Sequence, residues 1–268
     1  MKKTLLITGS TDGIGKELVK IGLEKDFTII AHGRNKERLE IMKDEMLQDF
    51  PDSEIRLIQA DFSDLEQTAE AFKDYKKQYG MPDVLINNAG VLNTEKRITK
   101  NGFEESFQIN HLAPFLITQI LINDCKFEKE HRIINVSSMI HAFEIDFDNL
   151  NAEKYFSSQK VYGLTKLCNI LFTNKLQRKY SDTKLLAASV HPGVINTKLL
   201  RQQWGGGAPP AEGAANVFYA VEFEGLQAIP GAYIENRRPM QAADIAYEEP
   251  VQDRLWNISE KFLEPYIA

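Results

Sequence analysis

The chain has 268 residues, of which 43% are apolar, 26% charged and 10% aromatic. That composition supports a large packed core and excludes a disordered, collagen-like or coiled-coil chain. Acidic residues outnumber basic ones 38 to 32, for a formal charge of -6, so there is no basic footprint for nucleic acid. The two cysteines, Cys125 and Cys168, are too few for a disulfide framework and lack metal-ligand spacing, so both read as small buried apolar residues and no metal is expected.

The apolar stretch at 5–7 is far shorter than the ~7 to 15 residues of a signal peptide core, and it reads as a first strand. No apolar run approaches the ~18 residues of a membrane span. A reducing, cytoplasmic setting is therefore expected, with small molecules as partners and self-association as a homo-oligomer left open.

Along the chain, short β-rich runs at 4–8, 27–31, 55–60, 84–87, 132–137 and 185–191 alternate with amphipathic stretches at 14–24, 36–50, 65–79, 103–124 and 157–180. The strands are nearly continuous apolar runs of the kind buried on both faces. Strand–helix alternation predicts an α/β fold, a doubly wound parallel sheet of Rossmann type in a three-layer α/β/α arrangement. No repeat or linker divides the chain, so 1–268 is expected to be one domain. The clearest breaker cluster, Gly205-Gly206-Gly207-Ala208-Pro209-Pro210, follows the sixth strand and reads as a hinge.

The first strand runs into Thr8-Gly9-Ser10-Thr11-Asp12-Gly13-Ile14-Gly15 and then directly into a helix. A glycine-rich strand-to-helix turn lets backbone N–H groups and the helix N-terminus approach a pyrophosphate. The spacing is not that of a P-loop, because Ile14 stands where its second glycine would fall and Glu17 follows Lys16. It is not GxGxxG either, because Leu18 takes the third glycine's place. Further signals recur at the C-terminal ends of strands or on the helices that follow, where open α/β sheets bind ligands. They are Asn87-Asn88-Ala89-Gly90, Asn110, Ser137-Ser138, Tyr162-Gly163-Leu164-Thr165-Lys166 and Pro192-Gly193.

This set resembles the short-chain dehydrogenase/reductase family over nearly the whole chain, with TGxxxGxG, NNAG, a serine, YxxxK and a PG turn. Four stretches are similar to its retinol-dehydrogenase-like branch: His32-Gly33-Arg34-Asn35, the segment YGLTKLCNILFT from Tyr162, His191-Pro192-Gly193-Val194, and PAEGAANVFY from Pro210. The resemblance implies an oxidoreductase that moves a hydride between a nicotinamide cofactor and a carbonyl or alcohol. It also implies that Asn110, Ser138, Tyr162 and Lys166 are catalytic. Ser138 would hydrogen-bond the substrate oxygen, Lys166 the cofactor ribose, and Asn110 would place a water; the choice of Ser138 over Ser137 comes from the resemblance. Cofactor contacts are implied for Gly9, Ser10, Thr11, Gly13, Ile14 and Gly15, for Arg34, Asn35, Asp61 and Phe62, and for Asn88, Ala89 and Gly90. They are implied as well for Tyr162, Lys166, Pro192, Gly193, Ile195 and Thr197.

The chemistry fits these residue types. A free phenol titrates near 10, too high for proton exchange at neutral pH. Lys166, one helical turn after Tyr162, is expected to lower it. In the position where an acidic side chain would select NAD stands Gly33, followed by Arg34, so NADP(H) is expected as the cofactor. The alternative is a sensor or scaffold that binds NADP without turnover. A lid over an apolar substrate is expected at 197–211, with Leu199, Leu200 and Trp204 as cover and Met139, Phe143 and Phe156 as the facing wall. His141, close to Ser138 in sequence, is a further candidate to reach substrate, and His191 is expected to serve the turn into Pro192-Gly193.

Overall fold

The computed structural model describes residues 2–201 and 205–267. Eight strands form one sheet in the order β3-β2-β1-β4-β5-β6-β7-β8. They are β1 (Thr4–Thr8), β2 (Thr28–Gly33), β3 (Ile55–Gln59), β4 (Val84–Asn87), β5 (His131–Val136), β6 (Leu185–Val190), β7 (Tyr233–Glu235) and β8 (Arg238–Met240). All neighbours run parallel except β8, which pairs antiparallel with β7. The doubly wound parallel sheet expected from the alternation is present, and its strand order reverses between β1 and β4. Such a reversal opens a crevice beyond the carboxyl ends of the strands.

Helices α1 (Gly13–Glu24), α2 (Lys36–Asp49) and α8 (Pro210–Glu222) cover one face, and a short α7 (Lys198–Arg201) precedes α8 in the chain. Their apolar residues join alternate strand residues such as Leu5, Ile7, Ile86 and Ile134 in one core cluster. Helices α3 (Leu65–Tyr79), α5 (Ala113–Ile122), α6 (Ser158–Lys179) and α9 (Glu249–Ile267) cover the other, closing over Leu6, Leu85, Ile133 and Ala187. Two apolar layers on opposite sides explain why the central strands read as unbroken hydrophobic runs. No described helix is long and apolar enough to cross a membrane. Cys168 is buried as expected, but Cys125 is only half-buried.

The structure departs from the expected elements in three places. The helix expected over 103–124 is instead a single turn α4 (Glu105–Phe107), a π-helical turn (Gln108–Leu112) and α5. Pro114 has no N–H to offer the carbonyl four residues back, that of Asn110, and the coil widens there. Second, β7 and β8 escape the sequence pattern because each spans three residues and β8 contains Pro239. Third, α9 adds a nineteen-residue helix that packs Leu255, Trp256 and Leu263 against the second layer. Between the layers, Arg132 is tied by one guanidinium nitrogen to the carbonyls of Ala220, Val221 and Phe223 at the end of α8 (3.3, 2.8 and 3.0 Å).

Candidate active site

The glycine turn is built by backbone demands. Gly9 and Gly13 adopt φ of +71° and +52°, a region that side chains disfavour. A Cβ on Gly15 would stand 1.9 Å from the Gly9 carbonyl oxygen, so α1 can begin this close to the turn only with glycine there. Asp12 caps the helix by accepting the Gly13 N–H at 2.8 Å. The turn after β4 is stapled to it. The Thr8 hydroxyl accepts the N–H groups of Asn88 and Ala89, both at 3.0 Å, and the Asn88 amide donates to the carbonyls of Thr8 and Gly9 at 2.8 and 3.3 Å.

His32, at the end of β2, supports the same turn from the other side. Its Nδ1 accepts the Gly9 N–H at 3.4 Å and its Nε2 lies 3.1 Å from the Ala60 carbonyl. That pairing assigns the proton to Nε2. The ring stacks on Phe62, with centroids 4.2 Å apart and planes 9° from parallel. Burial pushes its pKa down to about 4, so the imidazole is neutral at physiological pH.

Beyond His32, two guanidinium groups line the outer end of the crevice. Arg34 follows β2, and Asn35 caps α2 by accepting the Arg38 N–H at 2.8 Å. Arg38 thereby comes back over the glycine turn, 3.4 Å from the Thr11 carbonyl and 3.3 Å from the Asp12 carboxylate. Of these two cations only Arg34 is marked by the sequence motif. The signal for Arg38 was its place in the first turn after a capping Asn. Asp12 is also paired with Lys198 at 2.5 Å, and that cation, with Arg38 further off, keeps its carboxyl below the usual range.

At the inner end, Ser138 follows β5 while Tyr162 and Lys166 occupy successive turns of α6. Gly163 lets that helix press against the chain after Ser138, since a Cβ there would meet the Ile140 carbonyl at 2.8 Å. Burial pushes the Tyr162 phenol up to about 12, and hydrogen bonding to the Ser138 hydroxyl pulls it the other way. Lys166 does not produce the expected lowering. Its ammonium rests on the Val136 carbonyl at 3.0 Å, 5.4 Å from the centre of the Tyr162 ring. Burial lowers its own pKa to about 8.

Of the cofactor and catalytic residues singled out in the sequence, all but Ser10 and Asn110 line a single cavity of about 600 Å³. Ser10 is buried beneath the turn, its hydroxyl donating to the Ile7 carbonyl at 2.7 Å. Asn110 sits in the π turn behind Gly90. It exchanges two hydrogen bonds of 2.8 Å with the Val91 backbone and donates to Thr165 Oγ1 at 3.1 Å. A Cβ on Gly90 would lie 3.3 Å from Asn110 Oδ1 and 3.5 Å from Lys166 Nζ.

Met139 lines the cavity as expected of a wall, joined by Ile140, but Phe143 and Phe156 are not among its lining residues. Phe143 is 75% exposed. Val194 and Leu199 also line the cavity; Trp204 and the side chain of Leu200 lie outside the described residues. His141 does not reach the cavity: its Nδ1 lies 2.7 Å from the Ser138 carbonyl and its Nε2 accepts the Ala243 N–H at 3.0 Å. His191 does line it. Among the described residues no cluster of side chains could hold a metal ion.

The cavity suits a dinucleotide. A cradle of glycines that side chains would fill opens at a helix N-terminus, with cationic groups at one end and a serine–tyrosine–lysine set at the other. Comparison with known proteins agrees. The short chain dehydrogenase profile matches residues 3–205. Retinol dehydrogenase 14 from Mus musculus is 30% identical, covering 96% of this chain and 85% of its own. A chloroplastic short-chain dehydrogenase, TIC 32 A from Brassica napus, is 31% identical over 97% and 88%. Among solved structures, a protein from Mycobacterium paratuberculosis superposes with a TM-score of 0.80 at 26% identity, covering 98% of this chain and 93% of that one. ElxO, solved with NADP bound, shares the fold with a TM-score of 0.70 at 22% identity, over 88% and 97%. The chain is an oxidoreductase of the short-chain dehydrogenase family and belongs to its retinol-dehydrogenase-like branch.

Proposed function

We propose that this protein transfers a hydride between NADP(H) and an apolar or aromatic carbonyl or alcohol. The observation that carries the proposal is the meeting of Ser138, Tyr162 and Lys166 on the wall of the same cavity that the glycine turn floors. The turn of Gly9, Gly13 and Gly15 would hold the pyrophosphate, Asp61 and Phe62 the adenosine end, and Ile195 and Thr197 the nicotinamide end. Arg34 and Arg38 stand where a 2′-phosphate would meet two cations, which supports NADP over NAD. The bound nicotinamide supplies or accepts the hydride.

The chain's own groups do the rest. Ser138 orients the substrate oxygen toward Tyr162. The Tyr162 hydroxyl gives up its proton in reduction and takes one in oxidation. With cofactor bound, Lys166, keeping one N–H on the Val136 carbonyl, supplies the positive charge that burial alone denies the phenolate. Met139, Ile140, Val194 and Leu199 offer an apolar wall to a carbonyl substrate, and the stretch 197–211, whose start is tied to the glycine turn through Lys198 and Asp12, would serve as a lid within a single domain. A cytoplasmic setting belongs to the same reading.

The test is a panel of carbonyls and alcohols with NADPH, NADP, NADH and NAD, run on the wild type and Tyr162→Phe. Turnover with NADP(H) is expected, with Tyr162→Phe losing about 10²-fold or more in kcat and little cofactor affinity. A variant that kept more than about a tenth of the activity would remove Tyr162 from proton transfer. Cofactor binding without turnover on any substrate would make the protein a sensor.

A further inference from the structure

Lys166 and Asn169 share one face of α6 and one acceptor. The Lys166 ammonium donates to the Val136 carbonyl at 3.0 Å and the Asn169 amide to the same oxygen at 3.3 Å. Asn169 is 2% exposed. Its Oδ1 is buried without a hydrogen-bond partner among the described residues, and so is Nδ1 of His111 in the π turn. The two side chains act on each other, Asn169 favouring the charged form of the imidazole against a burial that holds the ring neutral. On its far side, His111 Nε2 lies 2.9 Å from the hydroxyl of Ser259 in α9. His111 and Ser259 are both fully buried.

Polar groups left unpaired in an apolar layer are costly, whereas a complete network fixes geometry. A neutral imidazole has one N–H and one acceptor nitrogen, so one arrangement satisfies the whole row. The Ser259 hydroxyl donates to His111 Nε2, His111 Nδ1–H donates to Asn169 Oδ1, and the Asn169 amide donates to the Val136 carbonyl. A carbonyl oxygen has two lone pairs. With Asn169 held on one of them, the ammonium of Lys166 meets the other from a single direction, and four flexible methylenes are brought to one position. Helix α9, remote from the cavity, thus bears on the lysine that lines it.

We propose that Asn169 is a positioning residue for Lys166, itself oriented by a donor chain that runs from Ser259 through His111. The proposal rests on the reading of Lys166 as the lysine that contacts cofactor and phenol. It predicts a proton position, a coupling and an order of effects.

In the ¹⁵N spectrum of histidine-labelled full-length protein, His111 should stay neutral between about pH 5 and 8 with its proton on Nδ1. A proton on Nε2 would overturn the chain. In NADPH fluorescence titrations, Asn169→Leu should weaken binding by about tenfold in the wild type but by less than about twofold in Lys166→Met, because a residue acting through Lys166 has nothing left to position. Equal losses in both backgrounds would make Asn169 a packing residue and end the proposal. If Asn169→Leu does not fold, His111→Phe measured in the same two backgrounds should show the same coupling with a smaller loss, and its absence there is equally decisive. With substrate, kcat should fall while KM for the carbonyl holds. If wild type binds NADPH but turns over no carbonyl, the enzyme reading fails, whereas the proton position and the binding cycle still decide this one.

Discussion

Acidification provides a quantitative test of the support beneath the glycine turn. His32 is buried, accepts the Gly9 N–H and titrates at about 4 in the folded protein, against about 6.5 for an unfolded histidine. As pH falls below about 6.5, the unfolded chain binds a proton that the folded ring refuses, so stability is lost from there down to the folded pKa. The loss is about 2 kcal/mol at pH 5 and about 3 kcal/mol once both states are protonated. His111, held down to about 3 by burial, adds a similar loss, so comparison with a His32→Gln variant isolates the first ring. At pH 7 the variant should be less stable by about 1–3 kcal/mol, because the Gly9 N–H loses its acceptor. At pH 5 that gap should narrow by about 2 kcal/mol. Urea unfolding curves for both proteins at pH 7, 6 and 5, without nucleotide, would measure it. Stability curves that stay parallel across this range would show that His32 is not the neutral, buried acceptor described above.

Other outcomes follow from particular contacts. Arg34→Ala and Arg38→Ala should each cut the preference for NADPH over NADH by about tenfold, the lower end for a solvated charge-assisted bond; unchanged affinity ratios in the double variant would refute the 2′-phosphate site. Gly15→Ala must push a Cβ into the Gly9 carbonyl, where only 1.9 Å is available. It should destabilise the fold by about 1–3 kcal/mol and weaken nucleotide binding at least tenfold by calorimetry, and normal binding would refute the tight-turn account. Arg132→Met removes three bonds to the end of α8 from a side chain that is 12% exposed. It should cost about 2–3 kcal/mol in denaturant unfolding while turnover per folded molecule holds, and a change within experimental error would mean that α8 does not need that anchor.

Much of the molecule is legible in the residues themselves. Buried parallel strands must be apolar on both faces, and the stretches at 4–8, 84–87 and 185–191 announce themselves by that requirement. The glycine turn is legible because Gly9, Gly13 and Gly15 answer local backbone constraints that side chains disfavour. Tyr162 and Lys166 are legible as a pair because one helical turn brings them to one face. These are short-range facts, set within a few residues of sequence.

What lay outside that reach depends on partners distant in the chain. The break in the helix at Gln108–Leu112 could have been suspected from Pro114, but its consequence could not, because Asn110 turns to Val91 and Thr165 only when three elements meet. His32 reads as an ordinary strand residue until Gly9, Ala60 and Phe62 close around it. Arg38 reads as a surface cation on α2 until the cap at Asn35 turns it back toward Asp12. Sequence also led to the expectation that Lys166 lowers the Tyr162 phenol. Tertiary structure placed that ammonium on the Val136 carbonyl and buried the phenol, which raises its pKa. Local spacing determines which side chains share a helix face, whereas the sign and size of a pKa shift depend on solvent exclusion and on charges from every element packed around the group, and only the folded chain assembles those.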